Sequence, residues 1–298
     1  MGYGILIILA VGLTVSLGRY LWVRQAPQHQ PEPTSICGAQ FKAIGSKCYY
    51  IENDKEQEWL GALYQCSRLG GHLASIKNQQ ELDDISKDLR PNKEYFFDLN
   101  DQINDGDRDE LLSATTGLAP SFLHQNLNIN KILLCPTINT LAQMKDAFCT
   151  ENMLFVCEKK EIATQEQKEK IEQNFKKIGD KYYYIENKKS RKWIDAFHKC
   201  QELGGHLATP RNDLELLGIS EELHNGAQYH IDLTDQLQRG KFLSISSGLK
   251  DNYFAWADGE PNLNFAKDSV AIEKTEMGTF MYHVDINELK YFICEATI

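Results

Sequence analysis

At 298 residues the chain is long enough for two domains, and its composition is that of an ordinary globular protein. Lys and Arg number 32 against 42 Asp and Glu, a formal net charge of −10, which argues against nucleic acid, a partner that needs a basic face. The sequence also lacks a P-loop, a dinucleotide-binding fingerprint and a His-Glu-x-x-His zinc motif.

The run from Gly4 to Leu17 is almost wholly apolar. Ser16-Leu17-Gly18 puts small residues where a cleavage site needs them, so residues 1–18 read as a secretory signal peptide. An uncleaved anchor running on to Val23 is the rival reading. Arg19 and Arg24 count against it, and the run is short for a span, so no stable membrane span is expected. Residues 19–34, rich in Pro and Gln, predict an extended linker.

Phe41 to Asn53 alternates and carries β-branched and aromatic residues, which predicts strands. Trp59, Ala62, Leu63, Cys66 and Leu69 then fall at helical spacing, and Gly70-Gly71 supplies the left-handed residue that stops a helix. Asn78 with Glu81 three residues on predicts the cap of a second helix. The pattern then repeats. Phe175 to Asn187 matches Phe41 to Asn53, and Trp193, Ala196, Phe197, Cys200 and Leu203 lead to Gly204-Gly205. Asn212 and Glu215 repeat the cap. So long a period marks a duplicated domain rather than a solenoid unit. Between the copies, residues 160–172 are rich in Glu, Lys and Gln and read as a solvated connector, with helix as one option.

Eight cysteines behind an export signal predict disulfides. The second copy has only Cys200 and Cys294, matching Cys66 and Cys157 of the first. Ile171 and Tyr182 stand where Cys37 and Cys48 stand, and Ser269 and Ile286 where Cys135 and Cys149 stand. If cysteines vanish in pairs, the bridges are Cys37–Cys48, Cys66–Cys157, Cys135–Cys149 and Cys200–Cys294.

Both halves resemble C-type lectin-like domains, over residues 35–159 and 173–298. The resemblance rests on the six-cysteine spacing of the first half, on the endings Phe155-Val156-Cys157-Glu158 and Phe292-Ile293-Cys294-Glu295, and on Phe254-Ala-Trp256-Ala-Asp-Gly259-Glu260-Pro261-Asn262. The style is similar to that of secreted insect C-type lectins. It implies an α+β fold in which two helices flank small antiparallel sheets and a long loop region carries the ligand site. The family's core-strand glycine is replaced by aspartate in both halves, at Asp98 and Asp232.

In this family calcium and sugar share one loop, and the Glu-Pro-Asn order is associated with mannose-type ligands. Glu260 and Asn262 match as calcium and sugar ligands. Lys267 falls at the next acidic position, with Asp268 beside it; Met281-Tyr282-His283 replaces the Trp-Asn-Asp run, and Asp285 and Asn287 lie close by. Calcium is therefore expected in the second domain only, weakly bound or absent, with Glu260, Asn262, Asp268 and Asp285 as its candidate ligands. The first domain's loop, Phe122 to Cys135, has no carboxylate, and Met144-Lys145-Asp146 keeps only the last member of the run. Trp256 is a candidate to stack on sugar, with core packing as its alternative. His72 and His206 belong to the helix-stop motif and read as packing residues. A secreted carbohydrate-binding protein with glycans or a glycoprotein as partner is the leading expectation, and a calcium-independent module that binds a protein is the alternative. Nothing in the sequence supplies the nucleophile–base or metal constellation of an enzyme.

Overall fold

The alternating run of the first copy folds as a hairpin, β1 (Lys42–Ile44) and β2 (Lys47–Gln57), with Ala43 opposite Cys48. Helix α1 (Trp59–Arg68) buries Trp59, Ala62, Leu63 and Cys66. It stops at Gly70, whose φ of 80° is the left-handed value that glycine adopts freely. Gly71 opens β3 (Gly71–Leu73) for a different reason: a Cβ there would collide with the carbonyl oxygen of Glu158. Asn78 caps α2 (Gln79–Ser86) by accepting from the Glu81 N–H at 2.9 Å. The Glu81 carboxylate reaches back to the N–H of Lys77, one residue beyond the cap. The half is completed by β4 (Tyr95–Phe96), β5 (Leu99–Asn100), β6 (Leu112–Ser113), β7 (Thr137–Ile138), β8 (Met144–Lys145) and β9 (Met153–Lys159).

This computed structural model describes residues 37–101, 111–123, 127, 134–250, 253–263 and 266–298. The signal peptide and linker expected over residues 1–34 lie outside the described residues, as does most of the first domain's loop between Phe122 and Cys135.

The connector holds a helix, α3 (Gln165–Asn174), set off by a capping box in which Thr164 and Gln167 satisfy each other's N–H groups. Ile171 anchors it, 3% exposed, at the place Cys37 takes in the first half. The second copy then runs β10 (Lys176–Ile178), β11 (Lys181–Arg191), α4 (Trp193–Leu203), β12 (His206–Leu207), α5 (Asp213–Ser220), β13 (Gln228–Thr234), β14 (Ser269–Thr275), β15 (Gly278–Val284) and β16 (Lys290–Ala296).

Each half is thus an α+β unit built on one seven-stranded sheet, with β5 and β6 forming a separate antiparallel pair in the first. The strand orders are β1-β2-β9-β4-β7-β8 and β10-β11-β16-β13-β14-β15, with β3 and β12 paired to β9 and β16. The central strands β9 and β16 run antiparallel to β2 and β11 and parallel to β4 and β13. Each helix-leading tryptophan reaches across to its sheet: Trp59 Nε1 donates to the Phe97 carbonyl at 3.2 Å, and Trp193 Nε1 to that of Ile231 at 2.8 Å. A lysine, partly buried in the first copy and buried in the second, ties strand, helix and sheet. Lys47 lies 3.4 Å from Glu81 and 3.1 Å from Glu158; Lys181 lies 3.0 Å from Glu215 and 3.2 Å from Glu295. All four disulfides form as the repeat implied. His72 and His206 turn Nδ1 to the carbonyls of Leu73 and Leu207, and burial lowers the pKa of both.

Residues 35–298 form one unit. A single apolar cluster takes in Trp59, Cys66 and Phe155 of the first half with Trp193, Cys200 and Phe292 of the second. The joint is reciprocal. The turn after β6 lies so close to α4 that a Cβ on Gly117 would collide with the His198 carbonyl; a Cβ on Gly248 would likewise collide with the Arg68 N–H of α1. Both turns are shaped by a buried aspartate, Asp98 in the first half and Asp232 in the second. Asp98 accepts from Ser113 Oγ at 2.5 Å and the Thr115 N–H at 2.9 Å; Asp232 accepts from Ser244 Oγ at 2.7 Å and the Ser246 N–H at 2.9 Å. Among the described residues no helix is long and apolar enough to cross a membrane.

Candidate glycan-binding edge of the second domain

The long β14–β15 hairpin is what positions the candidate site. It pairs Val270 with His283 and Ala271 with Tyr282, and β15 receives the segment around Trp256 as a parallel bridge at Met281. The Ala257 N–H donates to the Met281 carbonyl at 3.0 Å, which fixes the start of the loop. Trp256 is half-buried, stacked on Phe254 at 5.5 Å and packed against Phe242 at 4.9 Å. Phe242 also meets the His283 ring edge-on at 5.1 Å. The tryptophan is thus held in an aromatic group with Phe242 and Phe254.

Beyond it the Glu260–Pro261 peptide is cis, and Asn262 is exposed. Glu260 Oε2 accepts from the Asn262 N–H at 2.7 Å and the His283 N–H at 3.1 Å, while Oε1 lies 3.4 Å from Lys267 Nζ. Burial alone would raise this carboxyl; the two N–H donors and the Lys267 ammonium outweigh it and hold the pKa below the usual carboxylate value. His283 is fully buried, with Nδ1 2.8 Å from the Asn262 carbonyl and Nε2 3.2 Å from Asp235 Oδ1. Both ring nitrogens thus face acceptors.

Asp268 and Asp285, the other two candidate ligands, are turned to local work. Asp268 Oδ1 accepts from the Ile286 N–H at 2.9 Å, and Asp285 Oδ1 accepts from the Asn287 N–H at 2.8 Å. Burial raises the Asp268 carboxyl, the Ile286 N–H opposes this, and Asp285 and Asp235 add to the rise. The tie from Asp268 to Ile286 sits where the first half has its Cys135–Cys149 bridge: Trp59 N donates to the Cys149 carbonyl and Trp193 N to that of Ile286, each at 3.0 Å.

Two residues of the site were not singled out by the sequence reading. Asp235, 1% exposed, and Arg239 follow β13 and pair at 3.2 Å; the Gly240 N–H also donates to Asp235 at 2.8 Å. The acid and base four residues apart, directly after the core strand, were the available signal.

Among the described residues the donor set, as arranged, does not fit calcium. The ion takes six to eight oxygens, with carboxylates prominent among them. Here the Glu260 carboxylate is met by an ammonium and two N–H groups, and Asp268 and Asp285 accept from the N–H groups of Ile286 and Asn287. Among the described residues no three of His, Cys, Asp and Glu converge as a metal site would require.

The family model for the lectin C-type domain matches residues 55–159 and 189–296. The chain belongs to the C-type lectin domain family. It is similar to the accessory gland protein Acp29AB of Drosophila melanogaster, 32% identical over 121 residues, 40% of this chain and 50% of that protein. It is also similar to C-type lectin 37Db of the same fly, 36% identical over 85 residues, 28% of this chain and 56% of that protein. The chain spans about half the length of the curated relatives it matches. Among solved structures, the C-type lectin domain of murine dendritic cell inhibitory receptor 2 in complex with N-glycan aligns with a TM-score of 0.39 at 24% identity, covering 42% of this chain and 97% of that one. A calcium-independent type II antifreeze protein aligns with a TM-score of 0.38 at 18% identity, covering 42% and 92%.

Proposed function

We propose that the protein is a secreted lectin, not an enzyme, whose second domain binds glycans along the Glu260–Pro261–Asn262 edge. The observation that carries this reading is the edge itself: an ionised carboxylate, an exposed amide and the Lys267 ammonium lie together on a loop whose start is held in an aromatic group. A pair of neighbouring sugar hydroxyls needs both acceptors and donors, and these groups supply both. The Glu-Pro-Asn order favours mannose-type ligands. Membership of a lectin family and relatives named as lectins support the reading, and four disulfides suit an extracellular setting. Trp256 braces the edge in this proposal. The first domain acts as its partner in folding, since one apolar cluster joins the two halves.

The test is a glycan array probed with the full chain, with and without EDTA, beside Asn262→Ala. Binding to mannose-type glycans that the variant loses supports the proposal; a parent that binds no glycan sinks it.

One observation favours a second reading, a protein partner. The outer face of α5 carries Leu214 and Leu217, 81% and 62% exposed, where α2 carries Gln80 and Asp83. Capture of a protein that Leu214→Gln with Leu217→Asp abolishes, with no glycan bound, would establish it.

A further inference from the structure

The groups around the Glu260 edge close into a circuit drawn from three separate segments. Lys267 Nζ faces Glu260 Oε1 at 3.4 Å. The Lys267 carbonyl accepts from Arg239 Nη1, and the same Nη1 lies 3.2 Å from Asp235 Oδ1. Asp235 Oδ1 faces His283 Nε2 at 3.2 Å. The His283 N–H returns to Glu260 Oε2 at 3.1 Å, and its Nδ1 meets the Asn262 carbonyl at 2.8 Å. The turn after β13, Glu260 with Asn262, Lys267, and the end of β15 are thereby held in one arrangement.

The charges decide what this arrangement can hold. Within the circuit two carboxylates, Glu260 and Asp235, face two basic side chains, Lys267 and Arg239, and Asp268 adds a further carboxyl near Asp235 and Arg239. A divalent ion entering here would meet an ammonium and a guanidinium, and would have to displace the Lys267 ammonium from Glu260 Oε1, since Oε2 already accepts two N–H groups. The circuit already supplies what a metal supplies in such a loop: positive charge against Glu260 and a bridge between segments. An ammonium also has three donors, so Lys267 can serve Glu260 and a ligand hydroxyl together.

We propose that Lys267 and Arg239 are built-in cations in place of calcium: they hold the Glu260–Asn262 edge in its binding shape, and Lys267 with Glu260 and Asn262 grips a vicinal diol of a hexose directly. The diol half rests on the glycan-binding reading above; the cation half does not. The structure of the edge is then independent of calcium, and so is its ligand.

Amide hydrogen exchange on the full chain tests the cation half, read at the Asn262 and His283 N–H groups that Glu260 accepts. The parent is expected to show equal protection in EDTA and in excess calcium. Lys267→Met should speed exchange at both amides by about tenfold or more, and Lys267→Arg, which keeps the charge, should retain most of the protection. Calcium-induced protection in the parent would overturn the proposal, and so would a Lys267→Met chain as protected as the parent. The parent measurement requires no variant and stands even if Lys267→Met fails to fold. For the diol half, mannose-type glycans are offered to the parent in EDTA: binding there supports it, and binding only with calcium overturns it. A parent that binds no glycan in either condition ends the diol half together with the glycan-binding reading, while the exchange result still decides the cation half.

Discussion

Asn100 of β5 and His198 of α4 meet across the joint between the two halves, with 3.2 Å between Asn100 Nδ2 and His198 Nε2. The amide can donate only if that ring nitrogen is unprotonated. Burial pushes the His198 pKa down to about 4, and a carbonyl contact from Ser113 only partly opposes it. A depressed histidine contributes stability that is present above its unfolded value of about 6.5 and is lost as pH falls toward 4, by at most about 1.4 kcal/mol per pH unit. His198→Gln should therefore lose less thermal stability than the parent between pH 7 and about pH 4.5. Parallel curves for the two would contradict this role. His230, also buried and lowered to about 4, is unchanged in both proteins and cancels in the comparison.

The aspartates beneath the joint act with the opposite sign. Burial raises Asp98 and Asp232 to about 7, against the pull of their hydroxyl and N–H donors. A raised carboxyl contributes stability that is present below the unfolded value of about 4 and is lost as pH rises through about 7. Asp98→Asn with Asp232→Asn keeps an acceptor in each turn and removes the charge. The double variant should gain on the parent as pH is raised from about 5 to about 8, as measured by thermal unfolding. A constant difference across that range would show that neither carboxyl titrates there.

Gly117→Ala and Gly248→Ala place a methyl group against backbone of the other half, at positions with φ of 65°. Backbone cannot swing aside as a long side chain can. Each substitution should cost about 2 kcal/mol or more in the full chain, and Gly179→Ala, with the same φ but nothing within 4 Å, about 1 kcal/mol. Equal losses at the three sites would refute the close approach.

Removing Cys200–Cys294, whose partners are 94 residues apart, should lower thermal stability more than removing Cys135–Cys149, 14 apart. The chain-entropy model gives about 4–5 kcal/mol for the long loop and about 3 for the short one. Paired Cys→Ser variants of the full chain, unfolded side by side, give the comparison. A larger loss from the short bridge would contradict it.

Much of the fold was legible because it is written locally and twice. The apolar stripe from Trp59 to Leu69, the Gly-Gly stop, the Asn78 cap and the surviving cysteine pair each recur at matching positions. The joint was not legible. Ile194 and His198 form a second stripe at i, i+4 on α4, but periodicity reports burial and not what buries it. Gly117 and Gly248 read as ordinary turn glycines, because close approach depends on the other half. Asp98 and Asp232 were visible as departures from the family glycine, while their purpose, holding the turns that touch the neighbouring half, appears only with Ser113 and Ser244 folded beneath them. At the site, the sequence set Lys267 against calcium. It could not show that Arg239 and Asp235 complete the circuit, since they lie 28 and 32 residues before Lys267 in the chain.

The central claim is that the Glu260 edge binds glycan without calcium. Titration of the full chain with a mannose-type oligosaccharide in EDTA, beside Glu260→Ala, tests it most directly. The account predicts saturable binding by the parent and its loss in the variant. Binding that appears only when calcium is restored, or that survives in Glu260→Ala, would contradict it.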